Sequence, residues 1–337
     1  MHSYKRLRTM KKAIVCGAGG FIGGHMVKRL LDEGYKVVAV DLKPRNEWYQ
    51  VHEGALNEGL FNLTYKNNVF PLIQESKPDE LYQFAADMGG AGYIFTGEHD
   101  ADVVYNSAQI NLNILQALKI YSKKTKVFYS SSACIYPAHN QVDPDNPNCE
   151  EDSAYPANPD SEYGWEKLFS ERLYKSFSRN HGITVRIARF HNIFGPYGTW
   201  DGGKEKAPAA MCRKALQADT SMEVWGPGTQ TRSFLYIDEC IEAVRRLMES
   251  EVEDVINIGS DEMISINNLA RMALDLAGKQ HIELVNVDGP VGVMGRCSDN
   301  RMIQDKLGWA PSEPLLEGMK KTLDWIGDQM GVLYNKP

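Results

Sequence analysis

Apolar residues along the chain fall into short runs separated by amphipathic stretches. Ala13-Ile-Val-Cys16 is one such run, and a glycine-rich turn follows it at once. From Gly20 to Glu33 the spacing becomes helical, with Phe21, Ile22, Met26, Leu30 and Leu31 on one side and Gly34 closing the element. Lys36-Val-Val-Ala-Val40 is a second apolar strand that ends at Asp41, which completes a βαβ opening. Residues 43–60 are polar and irregular and read as a surface excursion. Further strands are expected at Glu80 to Ala85, Lys126 to Ser130 and Ile183 to Ala188, and long helices at Asp102 to Tyr121 and Tyr163 to Arg179. Strands alternating with helices predict an α/β fold built on a doubly wound parallel sheet of Rossmann type.

After about residue 190 the pattern changes. Glycine and proline cluster at 195–208 and 226–228, and helical spacing recurs at 206–217, 238–249, 265–277 and 313–330. A smaller C-terminal α/β domain for substrate is expected there. The expected division is a mobile tail at 1–10, a dinucleotide-binding domain at 11–190 and a ligand-binding domain at 191–337, with exchange of segments between the last two allowed.

With 337 residues, 43% of them hydrophobic, the chain has the material for a large core. A net charge of -7 speaks against nucleic acid as a partner and requires that any anionic ligand be held by particular arginines and lysines. The six cysteines, at 16, 134, 149, 212, 240 and 297, stand singly, which suggests neither a metal site nor a dithiol and suits a reducing, cytoplasmic compartment. Met1 to Lys12 is basic without an apolar core, so it does not read as a secretory signal, and no apolar run is long enough to span a membrane.

Gly17, Gly20 and Gly23 stand in GxxGxxG spacing between a strand and a helix. The first glycine permits the tight turn, the second lets backbone approach a pyrophosphate, and the third lets helix pack on strand. The amides around Phe21, Ile22 and Gly23 then meet phosphate at a helix N-terminus. Asp41, at the end of the second strand, is placed to accept from ribose hydroxyls and to repel a 2′-phosphate, which selects NAD over NADP. Tyr163-Gly-Trp-Glu-Lys167 sets a phenol and an ammonium on one helix face, where the lysine is expected to favour the phenolate as a base.

The glycine loop, Ser130-Ser-Ser132 and Tyr163 with Lys167 together resemble the extended short-chain dehydrogenase/reductase family. So do Arg189-Phe-His-Asn192-Ile-Phe-Gly-Pro196, Thr231-Arg-Ser-Phe-Leu-Tyr-Ile-Asp238 and Asn257-Ile-Gly259. The resemblance runs from about residue 12 to 330. It implies a sugar-nucleotide substrate bound by the C-terminal domain, a homodimer, Tyr163 as base, Lys167 as its partner and Ser132 as the group that orients a substrate hydroxyl. The family's third strand usually ends in an aspartate near adenine; Phe61-Asn62-Leu63-Thr64 is aligned with that place here.

Ser132-Ala-Cys134-Ile-Tyr-Pro137 narrows the resemblance further. Sugar-nucleotide dehydratases carry an acid just after the catalytic hydroxyl, whereas Ala133 and Cys134 stand here. A thiol suits proton removal from carbon beside a ketone, and Gly202-Gly-Lys204-Glu205-Lys206-Ala-Pro208 offers the ammonium partner. These words resemble the members that epimerise GDP-mannose at carbons 3 and 5. That resemblance implies NAD-dependent oxidation at carbon 4, enolisation with Cys134 and Lys206 as acid and base, and re-reduction. GDP-L-galactose is the implied product, with GDP-L-gulose arising from inversion at carbon 5 alone. It also implies substrate contacts at Gly89, Ser132, Ala133, Cys134, Asn192, Glu205, Lys206, Ala207, Lys214, Gln230, Thr231, Arg232 and Arg296, the two arginines gripping the diphosphate. Lys204 competes with Lys206 for the acid–base role, and His191 reads as structural. The rival readings are an NADPH-linked 4-keto-sugar 3,5-epimerase/reductase, a nucleotide-sugar 4-epimerase and a non-catalytic NAD(H) sensor.

Overall fold

The computed structural model describes residues 10–332, so the tail expected at 1–10 lies almost wholly outside the described residues. The first half alternates strands with helices, except that no α-helix stands between its second and third strands. Strands β1 (Lys12–Cys16), β2 (Lys36–Val40), β3 (Leu56–Glu58), β4 (Glu80–Gln83), β5 (Lys126–Ser132) and β6 (Val185–Phe190) are separated by α1 (Phe21–Asp32), α2 (Lys66–Ser76), α3 (Ala91–Ile94), α4 (Asp100–Tyr121) and α5 (Glu162–His181). The second half holds β7 (Ile193–Phe194), α6 (Ala207–Gln217), β8 (Ser221–Trp225), β9 (Thr231–Ser233), β10 (Leu235–Tyr236) and α7 (Ile237–Glu249). It continues with β11 (Val255–Ile258), β12 (Met263–Ser265), α8 (Ile266–Leu276), β13 (Glu283–Val287), β14 (Gly295–Arg296), α9 (Arg301–Leu307) and α10 (Leu315–Met330).

Seven strands form one sheet in the order β11-β6-β5-β4-β1-β2-β3, all pairs parallel. This is the doubly wound sheet that the alternation predicts. Three small sheets, β10-β7, β12-β9-β14 and β13-β8, lie in the second half. The four expected C-terminal helices are present as α6, α7, α8 and α10.

One assignment needs correction. The third strand is Leu56–Glu58, inside the stretch expected to be irregular, and Asn62 follows it in a turn. The Asn62 Oδ1 accepts from the Thr64 amide at 2.9 Å and the Thr64 hydroxyl at 2.7 Å, so this side chain is engaged in shaping its own turn. The strand expected at 183–188 is present as β6, and one more strand from far along the chain completes the sheet beside it: Val255–Ile258 pairs with β6 in register Val255↔Ile187 to Ile258↔Phe190.

Each face of the sheet is covered by helices over a dry core, which is why these strands read as continuous apolar runs. Val15, Tyr82, Phe128 and Ala188 pack on one side; Ile14, Leu81, Val127, Tyr129 and Ile187 pack on the other. Among the described residues no helix is long and apolar enough to cross a membrane.

One polar cluster is sealed into this core. The Arg245 guanidinium on α7, 2% exposed, reaches Glu80 at 2.9 Å and Glu33 at 2.7 Å, and also bonds Tyr82 and Tyr35. It ties α7 to the start of β4 and the end of α1. Burial works to raise the Glu80 carboxyl, but the Tyr82 hydrogen bond and the Arg245 charge outweigh it, and the group lies below its ordinary range. A depressed carboxyl stabilises the fold above its unfolded pKa and loses that contribution on acidification. Arg245→Met leaves the buried Glu80 carboxylate with the Lys11 ammonium at 3.3 Å and the tyrosine hydroxyls but without its guanidinium, with an expected loss of about 1–3 kcal/mol near neutral pH. Denaturant midpoints measured against pH should show this difference shrinking below about pH 4, as the carboxyl protonates.

Candidate active site

The C-terminal ends of β1, β2, β4, β5 and β6 converge on one edge of the sheet, the edge where doubly wound folds bind ligands. β1 delivers Gly17, whose φ of +82° is open to glycine. α1 then starts at Phe21 with Gly20 as its N-cap and no side-chain cap. The amides of Phe21, Ile22 and Gly23 are therefore those an α-helix leaves without intrahelical partners. A Cβ at Gly23 would stand 2.1 Å from the Gly17 carbonyl, so this helix can approach its own turn only through glycine.

Asp41 ends β2 beside the loop. Its carboxylate accepts from the Gly19 amide at 3.0 Å and the Lys43 amide at 2.9 Å. Burial raises its pKa, while the amide of Lys43 and the Lys43 charge pull the other way. A carboxylate offers about four acceptor positions, so two remain for vicinal ribose hydroxyls. The free first-turn amides, the glycine close approach and this carboxylate fit a dinucleotide with an unphosphorylated ribose.

Trp48, which the sequence reading did not single out, lies over the loop: its indole occupies the space a Cβ on Gly19 would need, and its Nε1 donates to the Lys43 carbonyl at 3.0 Å. The same excursion is bound to α1 through Gln50 to the Phe21 carbonyl (3.2 Å) and His52 to the Gly24 carbonyl (3.1 Å).

Beyond the loop opens a cavity whose wall includes Gly89, Ser132, Ala133, Cys134, Tyr163, Asn192, Glu205, Lys206, Ala207, Lys214, Gln230, Arg232 and Arg296. All the expected substrate positions thus share one cavity except Thr231, whose hydroxyl bonds the Pro144 carbonyl. Met88, Phe95, Trp225 and Val291 add apolar wall that the motifs did not mark.

Ser132 closes β5 and caps the short turn Ala133–Ile135, its Oγ accepting from the Cys134 amide at 3.1 Å. Tyr163 and Lys167 stand one turn apart on α5. The Lys167 ammonium donates to the Ser130 carbonyl at 3.0 Å and lies 5.6 Å from the Tyr163 ring centre. The expected lowering of the phenol is not what this arrangement gives. Burial raises it first, and the charges of Cys134 and Glu166 add to that, against a hydrogen bond with Ser132. Lys167, anchored on a backbone carbonyl, is itself lowered by burial.

Lys206 is the N-cap residue of α6 and forms part of the cavity wall. Crowding by protein lowers its ammonium, against the attraction of Cys134. Lys204, the competing lysine, lies 4.0 Å over the Tyr93 ring and is not part of the cavity wall. Glu205 accepts from Arg213 at 2.8 Å and the Gly203 amide at 2.7 Å, which holds the loop before Lys206.

Lys214 donates to the Glu223 carbonyl at 2.9 Å and sits 5.6 Å from the Trp225 ring centre. Gln230 donates to the Trp225 carbonyl at 3.0 Å, and its Oε1 is buried without a partner, an acceptor open to a ligand's N–H. Arg232 is engaged with the carbonyls of Thr231, Val291 and Val293 at 2.7, 3.1 and 2.6 Å. The Arg296 Nη1 points at the Cys134 Sγ, 3.2 Å away. His191 is buried and bonded to Asn257 at 3.0 Å, and burial pushes it down to about 3, so it is neutral at ordinary pH. Among the described residues no group of three or more His, Cys, Asp or Glu side chains is arranged to hold a metal ion.

Comparison with known proteins agrees with this geometry. Residues 13–259 match the model of the NAD dependent epimerase/dehydratase family. A GDP-mannose 3,5-epimerase of Arabidopsis thaliana is 44% identical over 319 residues, which cover 95% of this chain and 83% of the relative. GDP-mannose 3,5-epimerase 1 of Oryza sativa subsp. indica is 44% identical over 316 residues, covering 94% and 82%. The fold is shared with a UDP-glucose 4-epimerase from Thermotoga maritima, solved with UDP-glucose, at a TM-score of 0.83 and 23% identity over 95% of this chain and 99% of that one.

A test of the loop is Gly23→Ala. Its methyl group cannot fit against the Gly17 carbonyl, so the turn must open. NAD content after gel filtration and binding of the reduced cofactor, followed by fluorescence, are expected to fall at least tenfold, with the rest of the fold retained by circular dichroism.

Proposed function

The chain belongs to the NAD dependent epimerase/dehydratase family, and we infer that it is a GDP-mannose 3,5-epimerase. The observation that carries this reading is one cavity wall that joins Ser132 and Tyr163, with Lys167 buried beside Tyr163, to a second acid–base pair, Cys134 and Lys206. A 4-epimerase needs the first set alone. The charge felt at Lys206 includes that of the Cys134 thiol group.

Bound at the glycine loop, NAD supplies a reversible two-electron acceptor for carbon 4 of the mannose ring. Tyr163 takes the proton from the carbon-4 hydroxyl, which Ser132 orients, and Lys167 keeps its ammonium beneath them. The resulting ketone acidifies the C–H bonds at carbons 3 and 5. Cys134 removes a proton from one face to give the enolate, and Lys206 delivers a proton to the other face. Tyr163 then returns its proton as carbon 4 is reduced, so the net change is stereochemical. GDP-L-galactose results from inversion at both carbons and GDP-L-gulose from inversion at carbon 5 alone.

The guanine end is assigned to the wall near Trp225 and Lys214. Arg232 and Arg296 supply the positive field that a diphosphate needs in an acidic protein. Residues 11–190 are assigned to the cofactor and 191–337 to the sugar nucleotide. Placement in the cytoplasm remains part of this proposal and rests on the scattered thiols, all six free.

Incubation with GDP-mannose and NAD in deuterated water tests the reading. Solvent deuterium should enter carbons 3 and 5; a new carbon-4 epimer without label would make the protein a 4-epimerase and overturn it. Cys134→Ser should reduce exchange by about 10²–10⁴-fold, the range of a positioned acid–base group, with NAD still bound.

We also propose a homodimer through α4 and α5. Tyr105 is 65% exposed and Phe169 49% exposed on these adjacent helices, with Leu112 and Trp165 beside them. Tyr105→Glu with Phe169→Glu should turn a dimeric sedimentation coefficient into a monomeric one; a monomer before substitution would refute the assembly.

A further inference from the structure

Cys134 sits in the turn after β5 among positive charges contributed by several elements. Arg296 approaches from β14, Arg232 from β9, Lys206 from the start of α6 and Lys167 from α5, with the Tyr163 phenol also facing it. Only Arg296 is in hydrogen-bond contact with the sulfur among the described residues, at 3.2 Å. A guanidinium there donates to the sulfur and sets a positive charge beside it.

Arg296 does not hold this pose by itself. Its register partner in the parallel pair β14–β9 is Arg232, a like charge. The Arg296 side chain is 7% exposed, so an unpaired guanidinium there would be costly. Two side chains fix its other nitrogens. Asp160, whose side chain is also 7% exposed, accepts from Nη2 at 2.5 Å, and the Gln141 Oε1 accepts from Nε at 2.6 Å. With those two nitrogens engaged, the planar fork leaves Nη1 aimed at the sulfur.

The two anchors are themselves fixed. Gln141 donates to the carbonyls of Tyr136 and Pro137 at 3.0 and 3.2 Å, which sets the sense of its amide. The other Asp160 oxygen accepts from the Ser161 hydroxyl at 3.1 Å, and the Ser161 Oγ in turn caps α5 by accepting from the Gly164 amide at 3.2 Å. The chain of contacts thus runs from the first turn of α5, which carries Tyr163, through Asp160 and Arg296 to Cys134.

We propose that Asp160 is a positioning residue for the Cys134 base: together with Gln141 it locks the Arg296 guanidinium so that one N–H faces the sulfur. The inference rests on Cys134 being the carbon base assigned above. Asp160 touches neither sulfur nor substrate in this arrangement; it acts through Arg296. Its negative charge taken alone would oppose thiolate formation, so its orienting effect and its electrostatic effect have opposite signs, and an experiment can separate them.

The experiment is alkylation of the NAD-loaded protein with iodoacetamide from about pH 5 to pH 10, followed on the Cys134 peptide by mass spectrometry, a range that brackets the ordinary thiol pKa of about 8.5. If Asp160 positions Arg296, Asp160→Ala removes the acceptor, frees the guanidinium and moves the midpoint for Cys134 up by about one pH unit, the lower end of what an adjacent charge does. Alkylation at neutral pH then falls about tenfold, and Asp160→Glu restores part of it. A midpoint that moves down would make Asp160 a mere counter-charge, and an unmoved midpoint would make it merely structural; either overturns the proposal.

Should Asp160→Ala not fold, Gln141→Met removes the second anchor and must shift the midpoint in the same upward direction. Because alkylation needs no turnover, the two readings fail separately. An upward shift without deuterium exchange from GDP-mannose leaves the positioning role standing and removes the epimerase reading; exchange without the shift does the reverse.

Discussion

The site depends on where β5 is held. This strand lies in the middle of the sheet, bonded to β4 from Glu80↔Lys126 to Gln83↔Tyr129 and to β6 from Val127↔Val185 to Ser132↔Phe190. Because it is buried on both faces and paired on both edges, its end has little freedom to shift. That end supplies three things within five residues: the Ser130 carbonyl that anchors Lys167, the Ser132 hydroxyl and the Cys134 thiol. A one-residue slip would exchange the two faces of the strand and remove all three from the cavity at once. The Ser130 hydroxyl adds a cross-strand tie to the Gln83 carbonyl at 3.0 Å. The proposed oxidation and the proposed epimerisation are therefore positioned by one strand, while their second partners come from α5, α6 and β14.

A second constraint is charge. The protein is acidic overall, yet Arg232, Arg296, Lys206 and Lys167 all converge around the sulfur of Cys134. Gathering cations where most of them are buried is costly unless something compensates it. Asp160 does so for Arg296, and backbone carbonyls do so for Lys167 and Arg232. Lys206 is left facing the cavity and is lowered by its surroundings, which suits a group that must give up a proton.

Much of this was legible in the chain. The helices with a clear apolar stripe, α1, α4, α5 and the later α6, α7, α8 and α10, could be read from spacing, and the residues of the glycine loop and of the Tyr163 turn act locally, within a few positions of each other. What was missed lacked such a signal. The strand Leu56–Glu58 has only three residues and Leu56 is 57% exposed, so it shows no buried alternation. The helix Lys66–Ser76 buries only Val69 and Ile73 and contains Pro71, which hides its period. The strand Val255–Ile258 reads as apolar, but its place beside β6 is a tertiary fact that no local pattern carries. Arg296 and Asp160 lie 136 positions apart, and Arg296 and Cys134 162 apart. The arginine itself was legible as a ligand for a diphosphate; that it reaches the thiol was not.

That difference alters what the arginine pair accomplishes. β9 and β14 place Arg232 and Arg296 side by side in parallel register, so geometry alone would give them one duty. Their partners separate them. Arg232 is held by carbonyls of its own strand and of the loop 291–293, neutral acceptors that leave its charge undiminished toward the cavity. Arg296 is held by a carboxylate on the α5 side and an amide on the β5 side, and its remaining N–H is already given to the thiol. A phosphate entering the cavity would therefore meet Arg232 with its charge uncompensated, and would have to compete with Asp160 and Cys134 for Arg296. The division follows from burial: the deeper guanidinium needs an ionic partner to stay charged, and that partner also decides which way it points.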